Sequence, residues 1–112
     1  MSPPFRAALV TPRGRHFEFE WDDVKALANV GKHGISFELA TTVFSDSALL
    51  TVADIEHSKN EERWFSIGVA SNGALIAVAY LWEERSPEMV RIRLISARRA
   101  TNTEIRYYQE GS

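Results

Sequence analysis

The order of patterns along the chain predicts an α+β fold, an antiparallel β-sheet meander with two helices before it and one after. Three observations carry this. Helix-capping residues recur at Asp22, Ser36 and Thr101. Apolar or alternating runs fill the stretch from Ala48 to Arg98. Turn signals separate those runs, Asn72-Gly73 first and Ser86-Pro87 second.

Each element has a local reason. Phe17-Glu18-Phe19-Glu20-Trp21 alternates apolar and polar side chains and reads as a short strand. Asp22 caps a helix carrying Val24, Leu27 and Ala28 to about Gly31, and Gly34 supplies the left-handed residue that ends it. Ser36 caps a second helix with Phe37, Ala40, Val43 and Phe44 as its apolar stripe. Ala48–Ala53, Glu62–Ser71, Ala74–Trp82 and Met89–Arg98 are the four strands. Asn72-Gly73 predicts a two-residue hairpin, since both residues tolerate positive φ. Ala74–Trp82 is apolar throughout and is expected at the centre of the sheet. Thr101-Asn102-Thr103-Glu104 is a capping box opening the last helix.

The 112 residues fit a single domain over 16–112, preceded by an extension over 1–15 that is flexible or a strand at most. The absence of cysteine excludes disulfides and thiolate metal sites and is compatible with a cytoplasmic location. No apolar run approaches the roughly 20 residues that cross a bilayer. A formal net charge of -2 argues against a generic nucleic-acid coat. The charge is unevenly spread. Residues 17–62 hold ten acids and three lysines, a sum of -7, and residues 85–108 hold six arginines and two acids, a sum of +4. An anion-binding face on an acidic body is one reading, a solvated basic helix end the other.

Candidate site residues come from three distant stretches. Arg91 and Arg93 are two apart on a strand and emerge on one face, with Arg98 where the strand ends. Planar guanidinium groups suit phosphate and can stabilise charge on pentavalent phosphorus. Pairing with acids on a neighbouring strand is the plainer alternative. His33 follows Lys32 at a helix end and can exchange a proton near neutral pH. It can equally serve only the helix C-terminal carbonyls. Asp54, His57, Glu61, Glu62 and Arg63 form a polar cluster ahead of a strand. No two-His spacing within it supports a metal, and Glu62 or His57 could act as a general base, with Arg63 on phosphate. Of Tyr107 and Tyr108, one is expected to pack and the other to stack on a base or donate to a phosphate. Trp21, Trp64 and Trp82 read as core or partner-interface residues. Together these residues point to RNA phosphodiester chemistry.

The chain resembles the BrnT family of toxins from type II toxin–antitoxin systems over about residues 17–108. The resemblance rests on Phe19-Glu20-Trp21-Asp22, Lys25, Asn29 and Lys32-His33-Gly34-Ile35-Ser36-Phe37-Glu38, continued by Ala40, Val43, Phe44 and Asp46. It resumes at Asp54, His57-Ser58, Glu61 to Arg63 and Ile67-Gly68, and closes with Arg93 to Ala100, Glu104 and Tyr108. It implies a RelE-like fold, ribonuclease activity without metal or organic cofactor, and a BrnA-type antitoxin that covers the toxin. Operator DNA would be bound only through the antitoxin complex. Residues 1–15 have no counterpart at the usual start of the family.

On this reading the RNA 2′-hydroxyl attacks the adjacent phosphorus. Arg63, Arg93 and Arg98 neutralise the oxyanion. His33 is the first choice for proton transfer and Glu62 the second. Lys32 holds the phosphate and Tyr108 orients the scissile group. The alternatives are a catalytically inactive partner-binding module of a transcription-regulating complex, and a DNA-binding or structural protein. The last lacks any basic recognition helix.

Overall fold

The computed structural model describes residues 7–10, 15–54 and 62–111, the first of these as backbone only. His57 and Glu61 lie outside the described residues. The strands are β1 (Ala7–Val10), β2 (His16–Glu20), β3 (Leu50–Ala53), β4 (Arg63–Val69), β5 (Leu75–Ser86) and β6 (Met89–Arg99). The helices are α1 (Asp23–His33), α2 (Phe37–Thr41), which runs on into a 3₁₀ turn at Thr42–Ser45, and α3 (Asn102–Glu110). The sheet order is β1-β2-β6-β5-β4-β3. Strands β3 to β6 form the antiparallel meander that the patterning predicts. Strand β2 lies parallel to β6, pairing His16 to Glu20 with Met89 to Arg93. Strand β1, from the expected extension, pairs antiparallel with β2.

The three caps form where the sequence places them. The Asp22 side chain accepts from the Val24 N–H and the Ser36 side chain from Leu39. Thr101 and Glu104 complete a reciprocal capping box. α1 runs on to His33, two residues past Gly31, and Gly34 closes it at φ 71° as the sequence predicts. The Ala48 strand begins later than expected, at Leu50. Asp46 accepts from the Ala48 N–H through its side chain and from the Leu49 N–H through its carbonyl, so the chain is still turning there. The Asn72-Gly73 loop also differs from the two-residue hairpin. Gly73 donates to Ala70 and Ala70 to Ala74, and Gly73 has φ 85° while no non-glycine described residue has positive φ. Three residues turn the chain, a single left-handed glycine correcting the strand twist.

One core lies between the sheet and the two N-terminal helices. Trp21 meets Phe37 and Phe44 meets Tyr80 edge to face, Phe19 lies tilted against Phe44, and Ile76, Val78, Val90, Ile92 and Leu94 belong to the same core. The Tyr80 hydroxyl is 2.7 Å from Ser66, which is 2.9 Å from Thr51, so the buried phenol keeps its polar contact. Residues Ile76 to Tyr80 are buried on both faces of the sheet, as the continuous apolar run requires.

Two irregularities position the polar residues. Ile95 is an extra residue in β6, because Tyr80 pairs with Leu94 and Ala79 with Ser96. Simple alternation would put Arg98 with Ile92 and Leu94 against the core. The bulge moves it to the opposite face, with Arg91 and Arg93. The second irregularity is the end of β2 at Glu20, which frees the outer edge of β6. Asn29 of α1 takes the place of a strand there. Its side chain accepts from the Ala97 N–H at 3.1 Å and donates to the Ala97 and Ile35 carbonyls at 2.9 and 2.8 Å.

Because Asn29 is buried, Asn29→Ala leaves three backbone groups without partners. Urea unfolding should show a loss of about 3 kcal/mol. A loss within the noise of an ordinary surface substitution would mean that water satisfies the β6 edge equally well.

Candidate active site

The sheet face opposite the core carries a row of charge. Register places Glu20 beside Arg93, Arg93 beside Leu81, and Leu81 beside Arg63. Asp54 follows, its Oδ2 3.1 Å from Arg63 Nε. One row along, Arg91 sits between Glu18 and Glu83. Arg63 and Arg93 therefore flank Leu81 with backbones about two strand spacings, or 10 Å, apart. Arg91 donates from Nη2 to Glu18 at 3.4 Å, and Arg93 Nη1 stands 3.6 Å from Glu20 Oε1. The Arg91–Glu18 pair is partly exposed and contributes little to stability, whereas Glu20 is buried beneath the arginines. These acids fix where the guanidinium groups stand.

At the other end of this face lies α3. Arg98 gives a bidentate pair to Glu104, at 2.8 and 2.9 Å, and its guanidinium lies 5.2 Å from the Phe65 ring centre. Hydrogen bonding to Glu104 raises the Arg98 pKa despite partial burial. The same bonds hold the Glu104 carboxyl below its ordinary value. Burial opposes that shift, and the Thr101 N–H adds to it. Tyr108 donates to Asp46 at 2.5 Å. Burial alone would raise the Asp46 pKa, but bonds from Tyr108, Val69 and Ala48 outweigh it and the net direction is down. The bond to Asp46 in turn keeps the Tyr108 phenol protonated to higher pH. No residue of α3 is fully buried. Its attachment is largely polar.

Between α3 and the β3–β4 edge runs a cleft of about 380 Å³, lined by Leu50, Val52, Ala53, Asp54, Phe65, Ile67, Glu104 and Tyr107. Tyr107 is half exposed on its rim. Among the described residues no three His, Asp or Glu side chains converge as a metal-binding group.

The structure thus brings Arg63 and Arg93 together and sets Arg98 on the same face, already engaged by Glu104. Glu62 goes elsewhere. It precedes Arg63 directly, so alternation turns it to the core face, where it accepts from the Trp64 indole at 2.9 Å. Tyr108 is taken by Asp46. Lys32 is exposed and His33 half-buried at the end of α1. His33 is four residues after Asn29 and shares its side of the helix, one turn beyond the contact with Ala97. Sequence reasoning missed Glu20 as a member of this face. Its alternation with Phe19 was visible, but the parallel neighbour that supplies the arginines was not.

Residues 21–104 match the family described as ribonuclease toxin, BrnT, of type II toxin-antitoxin system. The chain belongs to this family. No curated protein matches it. As a BrnT-family ribonuclease toxin it has an antitoxin partner and an RNA substrate. The matched segment runs from α1 into the first turn of α3 and contains every arginine of the polar face. Glu20 and Tyr108 fall outside it. Among the described residues of this BrnT-family chain, no helix is long and apolar enough to cross a membrane.

The Arg98–Glu104 pair has a pH signature. A carboxyl whose folded pKa is depressed stabilises above its unfolded value and loses that contribution as pH falls through the folded value. Glu104→Gln retains the capping box and removes the charge. It should lower stability at neutral pH by about 1 kcal/mol, a figure limited by solvent screening. The gap from wild type should close below the ordinary value of 4.5. Thermal unfolding measured from neutral pH to about pH 3 checks this; an offset that never narrows would assign the effect to packing instead.

Proposed function

We propose that the polar sheet face is where this chain cleaves RNA, by attack of a ribose 2′-hydroxyl on the adjacent phosphorus, without a metal or organic cofactor. The observation that supports it best is the placement of Arg63 and Arg93 in one row on either side of the apolar Leu81. Two guanidinium groups at that spacing can grip one phosphate from both sides. They favour the pentavalent state, in which the phosphoryl oxygens carry more charge than in the bound substrate.

The proton inventory requires a base for the 2′-hydroxyl and an acid for the leaving 5′-oxygen. His33, at the end of α1 and not in contact with the arginine row, is the imidazole proposed for one of these transfers, with Lys32 beside it as a phosphate contact. Glu62, bonded to Trp64 on the other face, is the weaker choice. In this reading Arg98 and Tyr108 keep α3 in place, through Glu104 and Asp46, more than they touch the reacting atoms. The cleft beside α3 suits a nucleobase, with Tyr107 offering a ring to stack on and apolar walls below.

The antitoxin is proposed to be of the BrnA type, neutralising the toxin by covering this surface and carrying the complex to operator DNA. The setting is cytoplasmic, where messenger RNA and a reducing environment suit a cysteine-free chain. A covering segment has an apolar anchor beside this face in the exposed Val52 of β3, and could reach Val24, Leu27 and Val30 of α1 only by continuing round the sheet.

Purified chain should cut RNA equally well with and without EDTA and leave 2′,3′-cyclic phosphate ends. Arg63→Ala and Arg93→Ala should each lower kcat by about 100-fold or more, as losing an oxyanion contact does. His33→Ala should fall comparably, and Glu62→Gln should stay within about threefold of wild type. Cleavage that persists when the scissile ribose lacks its 2′-hydroxyl would eliminate the mechanism.

A further inference from the structure

We infer that Glu20 is a positioning residue, which holds the Arg91 and Arg93 side chains over the polar face by charge while itself occupying none of their N–H donors, so that those of Arg93 stay open to an incoming phosphate. This role presupposes that the face cleaves RNA. Glu20 is 6% exposed, the one fully buried acid among the described residues. A buried carboxylate ordinarily collects hydrogen bonds. This one does not. Its Oε1 is 3.6 Å from Arg93 Nη1 and its Oε2 is 4.0 Å from Arg91 Nε, both beyond hydrogen-bond length. Oε2 and the Arg91 Nε are each buried without a hydrogen-bond partner.

Arg98 shows what a saturated pair looks like. Its two terminal nitrogens are spent on Glu104 at 2.8 and 2.9 Å. Glu20 works differently. Coulomb attraction falls only as the inverse of distance, so a carboxylate just outside bonding range still attracts both cations. It offsets the repulsion between two arginines that stand two residues apart on one strand face. It occupies none of their donors. The position comes from the backbone, since the parallel register puts Glu20 directly beside Arg93. A phosphate arriving over the face then gains the Arg93 donors without first breaking a bidentate pair.

The test is Glu20→Gln in the full chain, which keeps shape and removes charge. Affinity is measured with a 2′-O-methyl RNA oligonucleotide that cannot be cut, and kcat with the cleavable RNA. Removing a negative charge from the face should leave the Kd unchanged or tighter. Loss of arginine placement should lower kcat by about 10- to 100-fold. Nitrogen-15 relaxation of the arginine Nε–H groups should show Arg91 and Arg93 mobile in the variant and Arg98 unaltered. Glu20→Asp, which retains the charge, should recover part of kcat and of the order. Should Glu20→Gln fail to fold, Glu20→Asp against wild type carries the same comparison at smaller amplitude.

An unchanged kcat, or arginines as ordered as before, would overturn the assignment. So would a parallel loss of Kd, kcat and thermal stability, which marks a merely structural residue. Disappearance of the acidic limb of the pH–rate profile would overturn it too, making Glu20 a proton acceptor. Wild-type chain that cuts no RNA would reject the ribonuclease reading instead, while the relaxation data would still decide the role of Glu20.

Discussion

The parallel pairing of His16–Glu20 with Met89–Arg93 is the contact on which the rest of the molecule depends. It is the least local pairing in the sheet, closing a loop of more than seventy residues. Non-local closure is the slow, entropically costly part of folding. Its effects reach both faces. On the core side it seats Phe17 and Phe19 against Phe44 and Trp82. On the other side it delivers Glu18 and Glu20 to Arg91 and Arg93. By ending at Glu20 it also leaves the far half of β6 open for Asn29, which fixes α1.

The arginines of the polar face divide by how firmly they are held. Arg98 is clamped by two short bonds to a helix whose cap uses the same carboxylate. Glu104 therefore serves Arg98 and the Thr101 N–H together, and the helix start and the strand end become one unit. Arg91 and Arg93 meet their acids at longer range. A site for a transient anion needs that asymmetry. A clamped guanidinium gives rigidity, whereas a loosely restrained one has donors to offer.

What the sequence reveals follows from what is local. The caps at Asp22, Ser36 and Thr101 need only neighbouring residues, and all three form. The meander follows from alternating runs separated by turns. Glu62 and Arg63 could have been separated on paper, since successive strand residues face opposite ways. The rest was hidden for physical reasons. Nothing local marks Ile95 as a bulge, yet it decides the face on which Arg98 emerges. Nothing near Tyr108 announces that Asp46 will occupy it, because a tertiary partner is chosen by the fold. The parallel neighbour of β2 was invisible for the same reason, and with it the place of Glu20.

The uneven charge along the chain takes its meaning from this geometry. The acidic stretch and the arginine-rich stretch are remote in sequence and adjacent in the sheet, where β2 meets β6. Much of the opposing charge is spent internally along one row, which is how a chain of net charge -2 can present an anion site without being a general polyanion binder. Such a site draws phosphate through short-range donors more than through a long-range field. Dependence on salt should then be shallow compared with that of a basic coat protein, because few counterions are displaced. The acids beside the arginines thus restrict the face to a ligand that can place an oxygen within bonding distance.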